Sequence, residues 1–287
     1  MNPLLLPTLI VALLSFLAGI RLARLELSGP GLGALICLGI LLGLPAMLFA
    51  AYYLHVYLDN ARWFFDFRTL PYTELLAGGI GLLAGIAHER FLALLPRRSV
   101  VTGALFPVLT LGLIGVPYSK MLLSPLETRF LYNRWEDGIC FQSTSSTCGP
   151  CNVATFLRLH GFKMSETEVA QAAYTSARGT EAWYLARILH SKGLQTEFIF
   201  DPPQSEPLRY PAIAGVKLEN PAGIGHFIAI FARNKAGYEI ADPLLGRLTL
   251  TPAQLAQKYY FTGFFLLVKN PANQTSLSAA GRTGIFG

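Results

Sequence analysis

The chain has 287 residues, 52% of them apolar and only 14% charged. A soluble domain carries about a quarter charged residues, and a disordered chain is poor in apolar residues, so neither description fits the whole molecule. The net charge is +6, but the basic residues are scattered and leave no electropositive footprint for nucleic acid.

Residues 1–120 hold 13 of the 40 charged side chains, gathered in short clusters. Between the clusters lie apolar runs at 3–20, 31–57, about 70–87 and 100–118. A helix needs about 20 apolar residues to cross the hydrocarbon core. A buried helix of a soluble core would show a polar face at helical spacing. These runs show none, so the sequence predicts four transmembrane helices. The first run lacks a positive n-region and precedes further spans, which makes it a retained anchor rather than a cleaved signal peptide. Lys and Arg divide five against five between the two sides of the spans, so the positive-inside rule sets no orientation. An uncharged N-terminus followed by Arg21 and Arg24 leans towards an outside N-terminus. An even number of spans then puts the C-terminal domain outside as well. Glu74 and the His88-Glu89-Arg90 cluster lie at or near the ends of the third span and are expected to snorkel to the interface. Trp63, Trp135 and Tyr118 suit interfacial anchoring.

From about Trp135 the pattern becomes that of a globular α+β domain. Residues 150–159 predict a helix closed by Gly161. Ser165 and Glu168 form a capping box that opens a helix to about Ala173, and 180–191 predict a third helix, stopped by Gly193. Strands are expected at 196–200, 212–218, 226–233, 238–241 and 247–251, with a hairpin turn at 234–237. A short helix at 252–257 and a strand at 261–268 follow. Helices before an antiparallel sheet is an α+β order. The remaining residues, rich in Gly, Ser, Ala and Thr, read as a flexible tail at 269–287.

Four cysteines, at 37, 140, 148 and 151, are too few for a disulfide scaffold. Three of them lie in CFQSTSSTCGPCNVATFLRLHG, residues 140–161. Cys148 falls where a helix should begin, with Pro150 in a favoured first-turn position. A thiol there feels the positive end of the helix dipole, which favours thiolate. Gln142, six residues upstream, carries an amide able to donate to an oxyanion. Gly225-His226-Phe227 begins one strand of the hairpin and Asp242-Pro243 ends its partner. The turn between them brings His226 and Asp242 to one end of the sheet, as a base and its orienting carboxylate require. His55, His160 and His190 are expected in helices without carboxylate or thiol partners. No zinc spacing is present and no cofactor is implied.

This order of motifs, with two short helices around Gly179-Thr180 and an apolar strand before Gly225-His226-Phe227, resembles the double-glycine leader peptidases. These are papain-like cysteine proteases known as N-terminal domains of bacteriocin-exporting ABC transporters. The resemblance covers roughly residues 137–268. It implies a papain-like cysteine peptidase domain there, behind a four-helix anchor at 1–120 and a juxtamembrane linker at 121–136. It also implies Cys148 as nucleophile, His226 as base, Asp242 as the residue orienting His226, and Gln142 as oxyanion donor. The implied substrate is a small secreted precursor, cut after a Gly-Gly pair or its small-residue variants. The implied setting is a bacterial inner membrane, with the bilayer and a separate ABC exporter as partners. Thr147 stands where the family usually has Asp or Asn, the apolar helices precede the peptidase, and no G-x-x-x-x-G-K-[ST] occurs. The Gly78-Gly79 pair lies inside the third span, so self-cleavage is not expected.

Other readings stay open at this level. CGPC is also the thioredoxin motif, suited to dithiol exchange, although Gln142 to Thr147 is polar where a thioredoxin has a buried strand. A Cys148–Cys151 or Cys140–Cys151 disulfide would switch off or brace the site. A catalytically silent leader-binding domain is another reading, although such domains typically lose the nucleophile and this chain keeps all four residues. An amidase or transglutaminase-type acyl transferase would use the same Cys-His-Asp order.

Overall fold

The computed structural model describes residues 2–25, 27–94 and 100–270. Arg97 and Arg98, and nearly all of the expected tail, lie outside the described residues. In chain order the helices of the first part are α1 (Leu5–Ala23), α2 (Gly29–Tyr53), α3 (Arg62–Thr69), α4 (Ile80–Leu94), α5 (Val100–Gly115) and α6 (Ser119–Leu123). A 3-10 turn at Thr73–Gly79 runs into α4, and another at Val116–Tyr118 joins α5 to α6. Contacts divide the chain into two compact units, one of residues 1–61 with 70–123, the other of 62–69 with 124–287.

The first unit contains four apolar helical stretches, Leu5–Ala23, Gly29–Tyr53, Thr73–Leu94 and Gly103–Leu123. Glycine lets the helix backbones meet: a Cβ at Gly81 or Gly85 would collide with the carbonyl oxygens of Ala12 or Phe16 on α1. Large side chains point the other way, and Leu6, Leu13, Leu14, Leu41 and Leu111 are exposed. Three expectations fail here. Tyr118 is not an interfacial anchor; it is buried, its hydroxyl 2.7 Å from Thr8 Oγ1, because a partner inside the bundle satisfies it without water. Glu74 does not reach outward; it is fully buried in the first turn of its helix. Glu89 does extend, to Arg24 at 3.0 Å. His55 has the carboxylate partner it was expected to lack, Asp59, with Nδ1–Oδ1 3.1 Å.

The second unit continues with β1 (Trp135–Glu136), β2 (Ile139–Cys140), α7 (Cys148–Leu159), α8 (Glu166–Ala172) and α9 (Ala182–Ser191). Then come β3 (Gln195–Phe200), β4 (Ala212–Leu218), β5 (Gly225–Arg233), β6 (Tyr238–Asp242), β7 (Gly246–Leu250), α10 (Pro252–Lys258) and β8 (Tyr259–Lys269). β1 and β2 pair with each other. The rest form an antiparallel six-stranded sheet in the order β3-β8-β4-β5-β6-β7. The Ser165 capping box closes on both sides as its sequence requires, and Gly161 and Gly193 take the positive φ that ends α7 and α9. β4 runs through the middle with its first five residues all buried, which explains an apolar run without alternation. Val216, Ile228, Ile230 and Phe265 build a core closed by Leu255 of α10. α7 packs on β5, and α9 on β3 and β8.

Helix α3 belongs to this second unit, although it lies between two apolar runs in sequence. Phe65 places its ring 5.6 Å from Trp183, 5.2 Å from Phe198 and 5.0 Å from Phe200. Arg187 donates to the Arg68 carbonyl at 2.6 and 3.0 Å, and Arg62 pairs with Glu197 at 3.1 Å. Trp135, also in the second unit, carries the Arg158 guanidinium over its ring at 4.5 Å.

Candidate active site

α7 begins on Cys148 itself, with Gly149 and Pro150 completing its first turn. Proline is tolerated there because the first N–H groups of a helix have no intrahelical partner. Gly149 suits close packing here, since a Cβ would stand 2.9 Å from Leu185 Cδ1, whose end would have to shift, and 3.5 Å from Phe227 Cδ2. Its absence lets α9 and β5 close on the helix start. Asn152, one turn on, ties helix to strand: its Nδ2 donates to the Cys148 carbonyl at 2.9 Å and to the Phe227 carbonyl at 2.8 Å. The second of these bonds falls on the residue after His226.

The β5–β6 hairpin brings His226 and Asp242 together, with Nε2–Oδ1 2.9 Å. The other ring nitrogen of His226 is left free of Asp242, and the Cys148 thiol lies close enough to act on the imidazole. Asp242 is fully buried, and His226 and Cys148 are 6% and 8% exposed. Three donors hold the Asp242 carboxylate: His226, the Tyr259 hydroxyl at 2.5 Å and the Leu244 N–H at 2.8 Å. Burial opposes its charge, but these donors outweigh burial and keep the carboxyl below its ordinary range. Burial likewise opposes the His226 imidazolium. Hydrogen bonds to Asp242 and Cys148, with the charges of both, overcome it and raise His226 from 6.5 to about 9. Tyr259 is raised by burial and by its bond to Asp242, so it stays a donor. The His226 imidazole and the Cys148 thiol thus meet at the start of a helix.

Gln142 leaves β2 in a polar loop that is fixed at several points. Its backbone N–H donates to the Pro243 carbonyl at 3.0 Å, beside Asp242. Its side-chain Nε2 donates to the Thr144 carbonyl at 2.9 Å. An amide carries two hydrogens, so one anchors the group and one stays available. The buried Oε1 has no partner among the described residues. The neighbouring Ser143 is gripped by buried Glu166, which accepts from Ser143 N–H at 2.7 Å and from its hydroxyl at 2.5 Å. The structure therefore brings Cys148, His226 and Asp242 together, with Gln142 in the adjoining loop. A cleft of about 340 Å³ opens beside His226, between residues 142–145 and the side chains of Leu218, Ile224 and Leu244.

The cysteines separate into two roles. All four are free thiols. Cys151 faces Cys140 of β2 with their sulfurs 3.2 Å apart, and burial together with that contact pushes the Cys151 thiol far up. His160 caps α7 through the Phe156 carbonyl at 2.8 Å, and His190 meets Thr196 at 2.8 Å; neither enters the site.

Sequence reading passes over Tyr259, Asn152 and Glu166 as members of the site. Asn152 had a visible signal, a polar residue one turn after Cys148 in an otherwise apolar stretch of helix. Glu166 is the first residue of a capped helix, and Tyr259 reads only as part of a buried strand; neither pattern points to the site.

Comparison with known proteins places the fold. The family model described as Peptidase C39 family matches residues 137–273. An uncharacterized protein of Methanothermobacter thermautotrophicus (strain Delta H) is 32% identical over 138 residues, spanning 48% of this chain and 92% of the relative. A second, from Methanothermobacter marburgensis (strain Marburg), is 30% identical over 134 residues, 47% of this chain and 89% of the relative. Among solved structures, a double glycine motif protease from an AMS/PCAT transporter, in complex with the leader peptide, has a TM-score of 0.39 at 20% identity, covering 46% of this chain and 90% of its own. The peptidase domain of Streptococcus ComA, a bi-functional ABC transporter, has a TM-score of 0.38 at 19% identity, covering 45% and 95%. With the family model and a relative that is 32% identical and matched over 92% of its own length, the chain belongs to the peptidase C39 family.

Proposed function

We propose that this chain is a membrane-anchored cysteine endopeptidase that removes leader peptides after Gly-Gly-type sites in small secreted precursors. The observation that carries the reading is the buried Cys148–His226–Asp242 arrangement at the start of α7. Cys148 acts as a thiolate and forms a C–S bond to the substrate carbonyl. The oxyanion is held by the second Gln142 Nε2 hydrogen and by the Cys148 N–H, which in the first helical turn has no intrahelical acceptor. His226 gives its proton to the leaving amine as the C–N bond breaks. Water, deprotonated by the same imidazole, then attacks the thioester; the C–S bond breaks, the acid leaves, and the thiolate–imidazolium pair is restored. Asp242 keeps His226 in its tautomer and favours its charged form.

Membrane anchoring is supported by the inside-out surface of the first unit. Between 17% and 39% of each helix's most apolar stretch is buried, and the outward side chains are Leu, Ile and Val. Such a surface suits hydrocarbon rather than water. Anchoring raises the local concentration of peptidase where precursors leave the cell. The uncharged first residues followed by Arg21 and Arg24 favour the peptidase on the extracytoplasmic side, and protease accessibility in inverted vesicles reads this directly.

The test is covalent trapping. A thiol-directed peptide probe ending in Gly-Gly should label Cys148, and the label should vanish in Cys148→Ala and fall at least about a hundredfold in rate in His226→Ala. Equal labelling of Cys151 with no dependence on His226 would refute the peptidase reading and favour dithiol chemistry.

A further inference from the structure

The cleft beside His226 has a chemistry of its own, and it lies on one side of the nucleophile. Its lining includes His226 and Gln142 but neither Cys148 nor Gly149. His226 hands its proton to the leaving nitrogen, so the leaving half of the substrate lies against His226. We infer that this cleft is the subsite for the first residue after the scissile bond, and that it selects a medium-sized apolar side chain there. The inference rests on the peptidase reading above and adds a substrate preference to it.

Three observations support the selection. Leu218, Ile224 and Leu244 form an apolar wall, with Ile224 72% and Leu244 46% exposed, so apolar surface stands in water until a substrate covers it. The facing wall, residues 142–145, offers amide and hydroxyl groups and no charge, so an acidic or basic side chain meets no counter-ion. The volume of about 340 Å³ exceeds what a single Leu or Met side chain needs and falls within the range of ligand clefts.

The walls are also fixed by the bonds that build the site. Leu244 is held by its N–H to Asp242 at 2.8 Å. The preceding carbonyl, Pro243, accepts from the Gln142 N–H at 3.0 Å. Ile224 is held across the end of the β4–β5 hairpin, where its carbonyl accepts from the Leu218 N–H at 3.1 Å. The carboxylate bonded to His226 thus also places Leu244, one residue of the apolar wall.

The experiment uses the full chain in detergent micelles and internally quenched peptides that differ only in the residue after a Gly-Gly pair: Leu, Ser or Asp. The expected result is kcat/KM about tenfold higher for Leu than for Ser, with Asp lowest. Ile224→Ser and Leu244→Ser should each shrink the Leu-to-Ser ratio to about two- or threefold. Leu244→Arg should move the preference towards Asp, a gain that misfolding cannot mimic. Equal rates for all three peptides, or a ratio untouched by these variants, overturn the subsite while leaving the peptidase reading intact. Failure of the wild-type enzyme to cut any of them overturns that reading, and the subsite falls with it.

Discussion

The charge of Asp242 can be separated from its shape by the substitution Asp242→Asn. Asn keeps an oxygen for the His226 Nε2–H and the Leu244 N–H, which share Oδ1 at 2.9 and 2.8 Å. Its amide nitrogen then occupies the place of Oδ2, facing the Tyr259 hydroxyl, which can turn from donor to acceptor. The fold should therefore survive, and the electrostatic effect can be read alone. A hydrogen bond to a charged partner is worth about 1.5–3 kcal/mol against about 0.5–1.5 for a neutral one. At 1.36 kcal/mol per pH unit that difference is about one unit, and the lost attraction between whole charges extends it to about two. His226, held at about 9 in the native site, should fall towards 7 or 8 on that estimate. The imidazolium is the form that protonates the leaving amine, so activity is present below this value and lost as pH rises through it. The assay is the pH profile of kcat/KM on a Gly-Gly peptide, in which the alkaline limb should move down by about one to two units. A variant that is slower but keeps its alkaline limb near 9 would refute the assignment of that limb to a His226–Asp242 pair.

Two further perturbations test the supports of the site. Asn152→Leu removes the donor to the Cys148 and Phe227 carbonyls inside a buried contact and should cost about 1–3 kcal/mol, seen as a lower Tm together with a loss of Cys148 labelling rate. Unchanged labelling at a lowered Tm would mean that Asn152 stabilises the domain without placing Cys148 against β5. Phe65→Ala empties a space among Trp183, Phe198 and Phe200 and should cost about 3–5 kcal/mol of the second unit's stability, measured by denaturant unfolding. A 124–287 fragment, lacking α3 altogether, should unfold at least as readily.

The site was legible where its geometry is local. Gln142 and Cys148 sit in one polar loop and helix start. The turn at residues 234–237 makes the proximity of His226 and Asp242 a consequence of hairpin pairing. The strands of the sheet were legible to within a residue or two for the same reason, since each is a short apolar run bounded by turn residues. What sequence concealed depends on distant partners. Residues 62–69 read as a charged break between spans, because the surface that α3 covers is assembled from Trp183, Phe198 and Phe200, more than a hundred residues away. Tyr118 looked like an interfacial residue because its partner, Thr8, lies at the other end of the first unit's sequence. Tyr259 is one aromatic among several in β8, and only the folded register turns its hydroxyl to Asp242.

Placement also explains how one short motif supports two chemistries. In CGPC the two cysteines lie three residues apart, so a helix places them on the same face, one turn apart. In a dithiol exchanger both thiols must meet at one exposed helix end. Here β2 has taken one of them: Cys140 stands 3.2 Å from Cys151, and neither is exposed. Cys151 thereby faces another thiol, with burial working against its ionisation. Cys148, on the first residue of the helix, faces an imidazole supplied by β5 and charged through β6. The difference between the two cysteines lies in the strand each one meets. Transplanting CGPC to another helix would not carry this arrangement with it, because His226, Asp242 and the loop holding Gln142 all come from outside the motif.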